Sequence, residues 1–200
     1  MSALNNPAHR PRLSLGPILY LWPREQVFDF YAEMLETPVD VVYLGETICS
    51  KRRQLKPEDY WELAERVTAA GKQAVISTLA LIALAGCGSS DSDYPDGLLV
   101  TTQEGQEFLS LNGIQTQSAS THNLLPAIDE VRALGVDLLR ISPQSRHTAD
   151  VIRTFADCLT GDLDPTEGTA RLSGWAPSGL CDGYWTGESG YKVGIPGQNP

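Results

Sequence analysis

Four cysteines and three histidines carry most of the side-chain chemistry open to this chain. Cys49 sits in Gly45-Glu46-Thr47-Ile48-Cys49-Ser50-Lys51-Arg52-Arg53, directly after a β-branched apolar run. The three consecutive cations favour a thiolate, the form that ligates metal or acts as a nucleophile. A basic surface loop with an incidental cysteine is the competing reading. Cys87 lies in a Gly/Ser/Asp-rich loop after the third expected strand, where it could approach Cys49. Two cysteines fall short of the four ligands that zinc and iron–sulfur sites usually take. Cys158 falls on the apolar face of a helix and reads as core. Cys181, in Leu180-Cys181-Asp182-Gly183-Tyr184-Trp185, reads as structural. His9 belongs to a tail, and His122 and His147 read as helix-boundary or surface residues. No Ser/His/Asp or Cys/His signature and no phosphate-binding glycine loop occurs.

The elements that must position these residues follow from periodicity. Residues 1–12 have no apolar period and are expected to form a flexible tail. Leu13–Leu21 reads as a strand. Arg24–Glu36 carries Val27, Phe30, Tyr31 and Met34 at helical spacing, and Pro38 ends it. Val39–Leu44 is a short buried strand leading into the Cys49 loop. Pro57-Glu58-Asp59 opens a helix with Tyr60, Leu63, Ala64 and Val67 on its apolar face. Gln73–Leu79 is a third strand. Residues 86–106 read as a Gly/Ser/Asp loop with a turn at Tyr94-Pro95-Asp96-Gly97. Glu107–Asn112 and Val136–Ile141 read as further strands, and Leu124–Leu134 and Ala149–Leu159 as helices. Residues 161–200, dense in Gly and Pro, are expected to be an irregular C-terminal extension. Alternating strands and helices with short loops indicate an α/β fold on a parallel sheet. The five readable strands suit either an open doubly wound sheet or an eight-stranded barrel lacking its middle.

Length and charge narrow the function. Two hundred residues suit one hydrophobic core. A net charge of −10 disfavours nucleic acid and anionic lipid surfaces. Spread-out cysteines and no leader-like N-terminus point to a reducing, cytoplasmic setting. Residues 74–86 form the most apolar run, too short to span a membrane. Ending in Leu84-Ala85-Gly86-Cys87, the run has the look of a lipoprotein signal, which would tether the chain through Cys87. Such signals are N-terminal, whereas here patterned α/β sequence precedes the run. A buried strand entering a loop is the expected reading.

Tyr43-Leu44-Gly45-Glu46-Thr47-Ile48-Cys49-Ser50-Lys51-Arg52-Arg53 resembles the hallmark segment of the collagenase-like peptidase family U-thirty-two, and specifically its ubiquinone-biosynthesis branch. Further stretches are similar to the same branch in the same order. They are Leu15–Pro23, Ser77–Leu81, Asp93–Gly97, Leu111–Thr116, Arg140–Gln144 and Gly183-Tyr184-Trp185. Together they cover most of residues 13–190.

The resemblance implies a TIM-barrel-like fold and a 4Fe–4S cluster on four cysteines. It also implies a heterodimer with a homologous UbiU-type partner, supporting oxygen-independent hydroxylation of the ubiquinone ring under anaerobic conditions. No protease activity is expected of this branch. The sequence departs from the family by lacking a long stretch between the third strand and the Tyr-Pro-Asp-Gly turn. The expected architecture is therefore a (β/α) parallel sheet at 13–160 with its middle βα units missing, an open partial barrel. Cys49 and Cys87 match ligand positions. Ser90 and Asp91 fall where the family shows further cysteines, so Asp91 replaces a third ligand, and the fourth has no counterpart. Carboxylate is a hard oxygen donor among sulfurs. Cys49, Cys87 and Asp91 are thus the candidate metal ligands, and a clusterless protein-binding module is the alternative.

Overall fold

The computed structural model describes residues 10–48, 52, 54–77, 94–112, 115–176 and 178–187. Cys49, Cys87, Ser90, Asp91 and His9 lie outside the described residues. The main sheet has four parallel strands, β1 (Arg12–Leu15), β2 (Val41–Leu44), β3 (Gln73–Ile76) and β8 (Leu138–Ile141), in the order β3-β2-β1-β8. Helices α1 (Arg24–Leu35), α2 (Pro57–Ala69) and α4 (Thr148–Thr160) alternate with them. No closed barrel forms among the described residues.

Side-chain alternation along the strands explains the layering. Leu13, Leu15, Val42, Leu44 and Ile141 meet Val27, Phe30, Met34, Leu63, Val67 and Ile152 in one buried cluster. Helices α1, α2 and α4 therefore cover the same face of the sheet. The opposite face carries Arg12, Ser14, Val41, Tyr43, Gln73, Val75 and Arg140, in agreement with the strand registers. Ser14 and Val41 are buried there, while Arg12 and Arg140 are exposed.

Helix α2 starts where one carboxylate does two jobs. Asp59 accepts from its own Lys56 backbone N–H at 2.8 Å and from Arg24 Nε at 2.9 Å. The same Asp59 thus caps α2 and ties it to α1, and the Arg24 hydrogen bond holds its carboxyl below the usual range. Strand β1 is shorter than Leu13–Leu21. Pro17 has no backbone N–H to continue the ladder, and Leu19 uses its carbonyl for side chains instead.

Four expectations change. Glu107–Asn112 (β5) is a strand, but it does not join the parallel sheet. It pairs antiparallel with β4 (Leu98–Thr101) and β6 (Gln115–Ser118) in a separate three-stranded sheet. Part of the expected 86–106 loop is thus strand β4. Its Leu98-Leu99-Val100-Thr101 is too short to declare itself until it finds β5 through a tight turn. The 161–200 extension also contains order. Pro165–Ser173 is helix α5, with Asp164 accepting from Thr166 N–H at 2.8 Å and Pro165 at the first helical position. Leu124–Leu134 is split by Pro126 into a 3-10 turn (Leu125–Ala127) and α3 (Ile128–Ala133).

A second buried cluster joins Leu125, Cys158, Leu163 and Leu172, packing α5 onto α4. Two short strands, β7 (Thr121–His122) and β9 (Leu180–Cys181), pair in parallel beside it.

Candidate functional site: the cleft at the C-terminal strand ends

The loops after β1, β2 and β8 gather at one end of the parallel sheet, where functional loops of such sheets lie. Gly45 directs the chain out of β2 with φ +129°, and any Cβ there would collide with the Ser77 carbonyl. Glu46 accepts from Ile48 N–H at 2.7 Å, which turns the loop, and Ile48 is buried. The start of the cysteine loop is therefore held firmly at the expected end of β2.

Arg52, expected as one of three cations near Cys49, is bound to the loop after β1. Its residue is 8% exposed, and its Nη1 donates to the Leu19 carbonyl at 2.8 Å. Its Nη2 lies 3.4 Å from Asn112 Oδ1, and Nη1 lies 4.0 Å from the Glu46 carboxylate. Asn112 Nδ2 donates to the same Leu19 carbonyl at 2.8 Å. One guanidinium thus joins the loops after β1 and β2 to the end of β5. Burying a charge demands such satisfaction. Lys51 and Arg53 are outside the described residues.

The antiparallel sheet lies over this end and closes a cleft of about 440 Å³. Tyr20, Asp96, Gln117, His122 and Gln144 supply its polar lining. Tyr20 donates to Gln117 Oε1 at 3.3 Å. Burial, and then the Asp96 charge, push its phenol up to about 12. Asp96 accepts from Ser145 N–H at 2.7 Å and also pairs with the Ser145 hydroxyl. Trp22 Nε1 donates to the Pro95 carbonyl at 2.8 Å. The Tyr94–Gly97 turn is consequently pinned to the loops after β1 and β8.

Cys158 and Cys181 are the two cysteines among the described residues. Both are free and buried. Cys158 belongs to the α4–α5 core, where burial pushes its thiol up, with Asp157 and Asp164 adding to the shift. Cys181 Sγ lies 3.9 Å from the Ser120 carbonyl. Among the described residues, no group of three or more His, Cys, Asp or Glu side chains could hold a metal. The expected ligands Cys49, Cys87 and Asp91 lie outside the described residues.

His122, expected at a helix boundary or surface, is exposed as the surface reading has it, and it stands in strand β7 lining the cleft. Its Nε2 is 3.0 Å from the Asp182 carbonyl. A carbonyl only accepts, so Nε2 carries a proton. Its ring rests on Gly183, where φ is +65° and a Cβ would sit 2.9 Å from Nε2. The Asp182-Gly183-Tyr184-Trp185 turn was the available sequence signal for this seat. His147 does lie at a helix boundary, immediately before α4 with φ 62°, stacked on Trp175 at 5.4 Å.

No helix among the described residues is long and apolar enough to cross a membrane. No known protein-family profile matches the chain, and no solved structure matches it significantly.

Proposed function

We propose that this chain is a shortened, UbiV-like accessory protein of oxygen-independent ubiquinone biosynthesis, acting in the cytoplasm as a partner-binding module for a UbiU-type protein. The observation that carries this reading is the strand order β3-β2-β1-β8 with α1 and α4 in contact on one face. A barrel cut open between its third and last strands has that order and that single helical layer. A doubly wound sheet would place the helix after the fourth strand on the face opposite α1. The strand order and the single helical layer support an open partial barrel as the finer architecture, which the dispersed family-like segments also imply.

The binding surface is the outer face of the small antiparallel sheet. Leu98 stands opposite Leu111, and Val100 opposite Leu109. Leu98 and Leu111 are 42% and 41% exposed. Contiguous exposed aliphatics of this kind suit a protein interface. The shortfall in ligands favours the clusterless form over the cluster-bearing one. The cluster-bearing reading keeps one support, the firm seating of the Gly45–Ile48 loop that precedes Cys49 in sequence.

Anaerobic cells lacking their own UbiV-type protein test the reading. The chain is expected to restore ubiquinone only when a UbiU-type partner is present, and the purified chain is expected to hold no stoichiometric iron or sulfide. Near-stoichiometric iron with broad absorption near the visible–ultraviolet boundary would replace the clusterless form by the cluster-bearing one. No restoration with the partner present would reject the assignment to this pathway.

A further inference from the structure

Strand β8 is an edge strand, paired with β1 alone among the described residues. The carbonyls of Asp137 and Ile141 accept from Arg12 and Gly16 N–H, both at 2.8 Å. Alternation along a parallel ladder then turns the N–H and C=O of Arg140 away from β1. They face a cavity of about 210 Å³ that separates the edge of β8 from β7 and α5.

The walls of this cavity are preformed. Phe155 bridges the two hydrophobic clusters. Trp175 is fixed by its His147 stack, at 10° between planes, and by its N–H bond to the Leu172 carbonyl at 3.0 Å. Leu172 closes the apolar side, and His122 and Asn123 stand on the polar side. A cavity of about 150 Å³ lined by apolar side chains accepts benzene, so this one has room for a ring with one small substituent. The unpaired strand edge specifies what that substituent offers: one donor and one acceptor side by side.

We propose that this cavity is a binding site for a six-membered aromatic ring bearing a primary carboxamide, with the ring between Phe155 and Trp175. The carboxamide N–H donates to the Arg140 carbonyl, and its oxygen accepts from the Arg140 N–H. The proposal does not depend on the family reading, since it uses no cysteine and no partner.

Benzamide titrated into the isotope-labelled full chain tests it by NMR. Saturable shifts are expected at the Arg140 backbone amide and the Trp175 indole. N,N-dimethylbenzamide, which lacks the donor, should bind about tenfold more weakly. Leu172→Trp, which fills the cavity, should abolish the benzamide shifts while Arg12 and Val42 amides keep their positions. Should that variant not fold, Trp175→Leu tests the same wall from its exposed side and should weaken binding. Absence of saturable shifts, equal affinity for the dimethyl analogue, or shifts mapping elsewhere would overturn the site.

Discussion

Gly168 shows how single atoms set this fold. A Cβ there would lie 2.7 Å from Leu125 Cδ2 and 2.8 Å from Cys158 Sγ, so α5 reaches α4 only because this position has no side chain. Gly168→Ala should destabilise by about 1–3 kcal/mol through overpacking, read as a shifted denaturant midpoint with an unchanged slope. Retained stability would mean that α5 is not docked as described. Tyr20 and Tyr60 give a pH signature. Burial pushes both phenols up to about 12 from an ordinary value of 10, with acidic neighbours adding to it. A raised folded value means the stabilisation is complete below pH 10 and is lost as pH rises toward 12. Unfolding free energy should fall across that window, and Tyr20→Phe should flatten the fall. Cys158 was legible as core because helical spacing puts it beside Val151 and Phe155. The seat of His122 was not, because its partner Asp182 is 60 residues away in sequence.

At the scale of elements, α1, α2 and α4 were legible almost to their ends, since each has an apolar stripe and a recognisable stop. The three-stranded sheet was not. Its strands are half-exposed, Glu107–Asn112 shows no alternation that distinguishes parallel from antiparallel pairing, and its anchors are side chains of distant loops. Asp96 is the main anchor, joining the start of β4 to Ser145 after β8. Asp96→Ala should therefore release this sheet without melting the main core. Hydrogen exchange should show faster exchange across β5 and β6, with β1 and β2 still protected. Uniform loss of protection would instead place Asp96 in the global folding unit. Helix α5 was missed because its amphipathic pattern is nine residues long and lies in a Gly/Pro-rich region.

At the scale of the whole molecule, the described residues form a four-stranded parallel sheet covered by helices on one face, with a small antiparallel sheet lying across its C-terminal end. Parallel sheets are ordinarily covered on both faces, and here the second face is only partly buried by described residues. Two edge strands, β3 and β8, also remain open among them. Such a molecule gains from a partner, and the aliphatic face at Leu98, Val100, Leu109 and Leu111 offers a place for one. The most direct measurement is sedimentation velocity of the purified chain mixed anaerobically with a UbiU-type protein. The account predicts a heterodimer for the native chain and its loss in Leu98→Asp/Leu111→Asp, whose monomer should keep a native circular dichroism spectrum. Independent sedimentation of the two native proteins would contradict it.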